Sequence, residues 1–245
     1  MLNIGLITLF PEIFNCLHYS IPDRALKQQL ARLYFWNPRD FTTDKHQQVD
    51  DKPYGGGPGM LMKVAPLRRA INAAKAELPT ARTVYLSPQG KLFKQSVAKE
   101  IIDKNQSLIL ISGRYEGLDE RLLGRDIDEE WSIGDYVLSG GELAAAVLID
   151  ALLRLLPGVV GDPNSVIQDS FYDDLLDYPQ YTRPKVIDGD AVPDVLLRGN
   201  HAEIAQWRRK QALGRTWLRR PDLLQEKVLS VEDQALLRTF IDENK

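Results

Sequence analysis

The fold prediction starts from one stretch, Trp131-Ser-Ile-Gly-Asp-Tyr-Val-Leu-Ser-Gly-Gly-Glu142, which indicates a short strand, a glycine turn and the start of an apolar helix. Ser139 and Glu142 have the S-x-x-E spacing of a capping box. The helix is predicted to run to about Leu156, because Pro157-Gly158 would end it. A strand, turn and helix with paired glycines can hold a small polar molecule through main-chain groups. A tight turn entering a buried helix explains the stretch equally well.

Strand and helix patterns alternate on the N-terminal side of this stretch. Ile4–Phe10 is a continuous apolar run, as expected for a strand buried on both faces. Two more strands are predicted at Arg82–Leu86 and Ser107–Ile111. The helices predicted between the strands are Ile21–Leu33, Val64–Glu77 and Phe93–Lys104. This alternation predicts an open parallel α/β sheet.

Three polar, glycine-containing segments follow predicted strands: Ser87–Gly90, Gly113–Gly117 and Ile133–Gly141. Ligands of open parallel sheets bind outside the carboxyl ends of the strands, so we expect these segments to converge on one pocket. The loop Asp50–Met60 has four glycines and two prolines but matches neither a P-loop nor G-x-G-x-x-G, since Met60 occupies the last position. It is either a mobile surface loop or a loop that folds over a ligand.

Composition narrows the class of protein. The 245 residues contain a single cysteine, Cys16, so an intrachain disulfide is impossible and a reducing, cytoplasmic location is expected. The N-terminus has no basic region before its apolar residues, which indicates a buried first strand rather than a signal peptide. The most apolar segment, 143–160, is interrupted by Asp150, Arg154 and Pro157, so no membrane span is expected.

Charge is distributed unevenly along a chain of net charge −3. Six arginines and lysines and no acidic residue lie between Trp207 and Arg220, whereas 161–177 carries five aspartates and no basic residue. Such asymmetry is compatible with an RNA-binding face. We predict an α/β domain at 1–160, a linker at 161–178 and a helical domain at 179–245. The helices predicted in the last part are Asn200–Leu213, Pro221–Leu229 and Val231–Asn244.

Two charged residues stand in apolar surroundings. Arg154 shares a helical face with Leu143, Val147 and Asp150, so it either pairs with Asp150 or points at a substrate oxygen. Asp169 is flanked by apolar residues inside a polar segment, and spacing alone favours a solvated side chain. The three histidines have no shared ligand spacing, so no metal site is predicted from them.

Several long motifs, taken together, resemble the bacterial tRNA (guanine-N1)-methyltransferases, which belong to the SPOUT superfamily. The likeness covers essentially the whole chain, in order. The motifs are Pro53-Tyr-Gly-Gly-Gly-Pro-Gly-Met60, Tyr85-Leu-Ser-Pro-Gln-Gly90, Gly113-Arg-Tyr-Glu-Gly117, Trp131–Glu142, Asp169-Ser-Phe171, Tyr181-Thr-Arg-Pro184 and Arg215-Thr-Trp-Leu-Arg-Arg220.

The resemblance implies a SPOUT-type sheet with a C-terminal trefoil knot, a homodimer with an active site shared between subunits, and S-adenosylmethionine as methyl donor. It also raises a Mg2+ requirement, for which the chain has no ligand motif. Ala144 stands where a proline is expected after Gly-Gly-Glu-Leu. The residues implied to bind the cofactor are Tyr85, Leu86, Ser87, Pro88, Gly113, Tyr115, Glu116, Ile133, Gly134, Tyr136, Leu138, Gly140 and Gly141.

The reaction implied by the resemblance is methylation of N1 of the guanine at tRNA position 37, immediately 3′ of the anticodon. Guanine N1 carries a proton, so the reaction needs a general base and a donor for charge developing on O6. The resemblance assigns the base to Asp169 and the donor to Arg154. Two alternatives remain open: a SPOUT methyltransferase acting elsewhere on RNA, such as a ribose oxygen, and a non-catalytic RNA-binding protein that uses 207–220.

Overall fold

The computed structural model describes residues 1–162, 164–225 and 227–245. Contacts between Cα atoms divide the chain into two compact units, Met1–Gly161 and Asp162–Lys245. Among the described residues, no helix is long and apolar enough to cross a membrane.

The first unit is built on a parallel sheet of five strands in the order β2-β1-β6-β5-β7. Its middle strand, β6, is buried along its whole length because helices cover both faces of the sheet. A two-stranded antiparallel ribbon, β3 and β4, frames the glycine-rich loop. The strands are β1 (Leu2–Ile7), β2 (Ala31–Trp36), β3 (Asp50–Asp51), β4 (Leu61–Met62), β5 (Arg82–Leu92), β6 (Leu108–Ser112) and β7 (Glu129–Ser132).

Helices form a layer on each face of this sheet. On one face α1, α3 and α5 bury apolar residues such as Ala25, Ile101 and Leu148, and on the other α2 buries Leu67 and Ile71. Both cores draw on alternate residues of the same strands, as the period of a strand requires. The helices are α1 (Ser20–Lys27), α2 (Val64–Glu77), α3 (Gln95–Asp103), α4 (Leu123–Asp126) and α5 (Glu142–Arg154).

The predicted fold class, an open parallel α/β sheet, is confirmed, and α2 has the predicted bounds. The helix predicted over Ile21–Leu33 is wrong in its second half. The helix ends at Lys27, Gln29 takes a left-handed φ of 57°, and the chain reverses into β2. β2 pairs in register with β1, so sheet formation outweighs the helical spacing of the apolar residues.

The second unit has a small core of its own, in which Leu213 of α7 and Leu236 of α9 are buried. Asn200 caps α7 and Ser230 caps α9, each accepting hydrogen bonds from first-turn amides. The elements are α6 (Asn164–Ile167), β8 (Val186–Ile187), β9 (Asp190–Ala191), α7 (His201–Arg219), α8 (Pro221–Gln225) and α9 (Val231–Glu243). Residues 162–178, which the composition predicted as a linker, cluster with this unit.

Candidate active site

A cleft of about 320 Å3 opens at the carboxyl edge of the sheet, where β5, β6 and β7 end and α5 begins. All thirteen residues implied to bind the cofactor line it, and all belong to the first unit. Its other lining residues are Gln89, Gly117, Trp131, Ser132, Val137, Ser139 and Ala144. The convergence expected from the three strand ends is therefore present.

One wall of the cleft is made by an irregularity in β5. Leu86 and Lys91 both pair with Trp131 of β7, so the four residues between them leave the regular register. The turn predicted at Ser87–Gly90 thus lies inside a longer strand. The Ser87 hydroxyl accepts a hydrogen bond from the Gln89 amide at 3.1 Å, which fixes the bulged segment at the cleft.

Glycines let the end of β6 approach the start of α5 closely. The Gly141 N–H donates to the Gly113 carbonyl at 2.9 Å. A Cβ atom on Gly141 would lie 2.8 Å from the Ser112 Cα, and one on Gly113 would lie 2.8 Å from the Tyr85 ring. A side chain on Gly141 would force the two loops apart, and one on Gly113 would displace the Tyr85 ring, which explains why small residues are required here.

The capping box predicted for Ser139 and Glu142 is wrong. Gly141 is the residue before the first turn of α5, and no side chain caps it. The Glu142 side chain turns inward and is fully buried. Its Oε1 accepts a hydrogen bond from the Thr8 hydroxyl at 2.9 Å, and its Oε2 lies 2.9 Å from Nε of Arg114. The Glu142 carboxylate therefore contacts Thr8 and Arg114 in the interior and not the main-chain N–H groups at the start of α5.

Arg114 joins three parts of the cleft floor. Besides its ion pair with Glu142, it donates from Nη1 to the Ser139 carbonyl at 3.2 Å. Its guanidinium also lies 4.4 Å from the centroid of the Phe10 ring. The Nε–H does not point at the Glu142 oxygen, so that contact is electrostatic rather than a directed hydrogen bond. Arg114 therefore ties the β6 and α5 loops to β1.

The phenol of Tyr85, which lines the cleft, has a raised pKa. Burial raises the pKa of its phenol, and the negative charge of Glu130 raises it further. The hydroxyl consequently stays protonated at neutral pH and can serve as a neutral hydrogen-bond donor at the cleft wall.

Arg154 does not lie at the cleft of its own chain. It is half-buried at the last position of α5, whereas the cleft lies at the first turn, next to Glu142. Twelve residues of α-helix separate the two, or about 18 Å at 1.5 Å per residue. The helical face that leads to Arg154 exposes more than half of Leu143 and of Val147.

Asp169 belongs to the second unit. It is half-buried, and it lines a cavity of about 260 Å3 between the segment after α6 and the helix α7. Gln168, Tyr178 and Arg208 line the same cavity.

A family model described as tRNA (Guanine-1)-methyltransferase TrmD matches residues 2–226 of the chain. The chain belongs to this family. Curated tRNA (guanine-N(1)-)-methyltransferases are similar over nearly their full length. One from Coxiella burnetii (strain Dugway 5J108-111) is 57% identical over 99% of each chain, and one from Legionella pneumophila (strain Lens) is 55% identical over 98% of this chain and 96% of its own.

Sequence reasoning missed several lining residues of this tRNA (guanine-1)-methyltransferase family member. Trp131 and Ser132 were assigned to a strand, and Val137 and Ala144 received no role from the motifs. Their positions at a strand end and at the first turn of a helix could have identified them. Ala144, the departure from the expected proline, does line the cleft and is buried there.

The basic cluster of this family member divides into two groups. Arg209 makes a bidentate pair with Asp233 at 2.7–2.8 Å and a second pair with Asp173, and Lys210 pairs with Glu243. Arg215 and Arg219 make no ion pair within the described parts of the chain. The same parts contain no group of three or more histidine, cysteine, aspartate or glutamate side chains that could hold a metal ion.

Proposed function

We propose that this protein transfers a methyl group from S-adenosylmethionine to N1 of the guanine at position 37 of tRNA, immediately 3′ of the anticodon. The observation that carries the proposal is the match to the tRNA (guanine-1)-methyltransferase family over residues 2–226. The cleft supports it, because the segments that resemble the family's cofactor motifs meet there around one cavity.

The cleft suits S-adenosylmethionine in size and character. About 320 Å3 is within the usual range for small-molecule sites. Gly113 and Gly141 line the cleft and add no side chain to its wall. The buried Ser87 hydroxyl and the neutral Tyr85 phenol add polar groups between apolar walls. Bound there, S-adenosylmethionine would supply an activated methyl group on a sulfonium.

Asp169 and Arg154 have complementary roles in this proposal. Asp169 accepts the proton of guanine N1, which turns a poor nucleophile into a good one. Arg154 donates to O6, where negative charge develops as that proton leaves, and its guanidinium stays charged throughout. The described residues contain no preformed cluster of side chains that would hold Mg2+.

The proposal includes a homodimer, which the position of Arg154 supports. Its distance of about 18 Å along α5 from the cleft of its own chain is too long for one guanidinium to span. Two α5 helices packed antiparallel through the exposed face of Leu143 and Val147 would bring Arg154 of the partner subunit to the cleft. We therefore assign Arg154 of each site to the partner subunit, and the shared active site implied by the resemblance assigns Asp169 to the partner subunit as well.

A methyl-transfer assay on unmodified tRNA transcripts tests the proposal. The expected result is incorporation into a transcript with guanine 3′ of the anticodon, none with adenine there, and a product whose N1 no longer supports Watson–Crick pairing. Methylation of a ribose oxygen would establish the other SPOUT activity. Tight tRNA binding without S-adenosylmethionine binding in calorimetry would establish a non-catalytic RNA-binding protein.

A further inference from the structure

Two hydrogen bonds flank Asp169, one on each side. The Tyr178 hydroxyl donates to Oε1 of Gln168 at 2.7 Å, and the Asp177 amide donates to the Ser170 hydroxyl at 2.9 Å. Both neighbours of Asp169 are thus joined to two successive residues of the chain. We name residues 168–178 the Asp169 loop.

The far end of the Asp169 loop is anchored to α7. The Leu176 amide donates to the Thr216 hydroxyl at 2.9 Å, and Leu175 is buried against Leu213. The segment that the composition predicted as part of a linker is therefore folded onto a helix. It was misread because its partner, α7, lies some 40 residues further along the chain.

Arg208 of α7 holds the ring of Tyr178. Its guanidinium carbon lies 4.7 Å from the ring centroid. The buried Nε of Arg208 has no hydrogen-bond partner among the described residues, so the ring face is the contact that defines the side chain's position. The hydroxyl of Tyr178 is consequently held at a fixed point relative to α7.

The main chain of Asp169 itself is held less tightly. Its amide lies 3.3 Å from the Val166 carbonyl, and its carbonyl lies 3.3 Å from the Tyr172 amide, both longer than the flanking contacts. These main-chain contacts are longer than the 2.7–2.9 Å hydrogen bonds made by the two residues that flank Asp169.

We propose that Tyr178 is a positioning residue for Asp169, acting through its hydrogen bond to Gln168. The inference rests on the proposed role of Asp169 as general base. A base must come within about 2.6–3.2 Å of the proton that it removes. A misplacement of about 1 Å can cost two orders of magnitude in rate, so the restraint on Gln168 affects the chemical step.

Tyr178→Phe removes the hydroxyl and keeps the ring on Arg208. We expect the single-turnover rate of methyl transfer to fall about tenfold, with unchanged Kd for tRNA and for S-adenosylmethionine. Tyr181→Phe is the matched control, because the Tyr181 ring is half-exposed and its hydroxyl makes no hydrogen bond within the described residues. That variant should transfer methyl groups at the wild-type rate.

Gln168→Ala removes the acceptor from an exposed position and should reproduce the loss even if Tyr178→Phe folds poorly. The double variant should be no slower than either single variant, because both remove one contact. Additive losses would overturn the inference, as would a wild-type rate in both single variants. Tyr178→Phe should also cause no further loss in an Asp169→Asn background, and a further tenfold loss there would mean that Tyr178 acts elsewhere.

The same measurements separate this inference from the proposed function. A wild-type rate in Asp169→Asn would overturn the assignment of the base, and the role of Tyr178 with it. An inactive Asp169→Asn together with fully active Tyr178→Phe and Gln168→Ala would leave the base in place and overturn the positioning role alone.

Discussion

The carboxylate of Glu142 lies where water cannot reach it. Isolated charges in a protein interior are costly, and this one is balanced by Arg114 and by the hydroxyl of Thr8. The arrangement fixes the first turn of α5 relative to β1 and β6, and with it the floor of the cleft. The stability of the unit and the shape of the cleft therefore depend on the same side chain.

Glu142→Gln should lower the free energy of unfolding by about 3 kcal/mol, because it leaves the charge of Arg114 without its buried partner. It should also weaken S-adenosylmethionine binding, since Arg114 holds the Ser139 carbonyl at the cleft. Urea denaturation and calorimetry measure the two effects. The control is Glu77→Gln, an exposed carboxylate at the end of α2, for which a change within about 0.5 kcal/mol is expected. Equal effects in the two variants would contradict the role of Glu142.

The environment of Glu142 could not be predicted from local spacing. Its hydrogen-bond partner Thr8 is 134 residues away in the chain. The spacing S-x-x-E is compatible both with a cap and with an inward side chain, and only the position of β1 decides between them. The cleft glycines, by contrast, were identifiable, because close backbone approach leaves few other residues possible.

At the scale of elements, α7 has two chemically different sides. One side carries Arg209, which is tied to Asp233 of α9 and to Asp173 of the Asp169 loop. Arg215 and Arg219 make no ion pair within the described residues and remain available to phosphate groups. Fewer basic side chains of α7 are therefore available to RNA than the net positive charge of 207–220 indicates.

Arg215→Gln combined with Arg219→Gln should weaken tRNA binding and flatten its salt dependence. Each lost phosphate contact lowers the slope of log affinity against log salt by about 0.9 for duplex RNA or about 0.7 for single strands, taking the DNA values as a guide. Arg209→Gln removes one positive charge from the same helix but should leave the slope unchanged and lower the stability of the second unit. If Arg209→Gln reduced the slope more than the double variant does, this division of α7 would be contradicted.

The pairs around Arg209 also predict a pH dependence. Its hydrogen bonds lower the pKa of Asp233 below the usual 3.8. Burial alone would raise the pKa of Asp173, but hydrogen bonds from Arg209 and Lys227 outweigh it and the pKa is lowered. A carboxyl group whose pKa is lower in the folded state than in the unfolded state stabilises the fold when the pH is above its unfolded-state pKa. This stabilisation is lost as the pH falls through its folded-state pKa. The stabilisation is therefore complete at neutral pH and disappears in acid.

Urea midpoints at pH 7, 5 and 3 check this expectation. The difference between wild type and Arg209→Gln should be large at pH 7 and 5 and should shrink at pH 3, as the two carboxylates become protonated. Arg219→Gln serves as a control, with no pH-dependent difference expected. A difference for Arg209→Gln that stays constant across the three values would show that packing, not charge, accounts for its effect.

Element boundaries were predictable where local signals were strong, as in α2, and failed where tertiary pairing decided them. The first three residues of β2 were assigned to a helix because their apolar spacing is ambiguous, and only pairing with β1 resolves it. The Asp169 loop was assigned to a linker because its aspartates and serine are typical of one, although Asp173 and Leu175 pack against α7 and α9.

At the scale of the whole molecule, α5 contributes to two sites in the proposed dimer. Its first turn forms part of the cleft, and its last residue, Arg154, is the proposed donor to guanine O6. Local sequence patterns could not predict this, since the relation between the two ends matters only when a second chain is present. The knot and the dimer implied by the resemblance remain predictions.

Mixed dimers test the shared site. Leu138→Trp fills the cleft from its wall, and calorimetry would verify that the variant no longer binds S-adenosylmethionine. Co-expressed in equal amounts with Asp169→Asn, it should restore about a quarter of wild-type activity, because half of the dimers are mixed and each has one intact site of two. Leu138→Trp with Arg154→Ala should restore the same fraction.

Asp169→Asn with Arg154→Ala is the discriminating mixture. If both residues come from the partner subunit, every site in the mixed dimer lacks one of them and no activity returns. If Arg154 instead served the cleft of its own chain, this mixture would recover about a quarter of the activity, and Leu138→Trp with Arg154→Ala would recover none. If none of the three mixtures showed activity, although mixed dimers were verified by mass, a shared site would be ruled out.

The proposed sharing of the site between subunits also has a genetic consequence. A subunit that carries both Leu138→Trp and Asp169→Asn would inactivate two sites in a mixed dimer. Its own cleft is filled, and the cleft of its partner lacks Asp169. Expressed in equal amounts beside the wild-type protein, such a subunit leaves only wild-type pairs working, about a quarter of all dimers. A subunit with either substitution alone leaves about half of the activity. Beside an intact gene copy, a second copy that carries both substitutions therefore lowers the total activity more than a copy that carries only one of them.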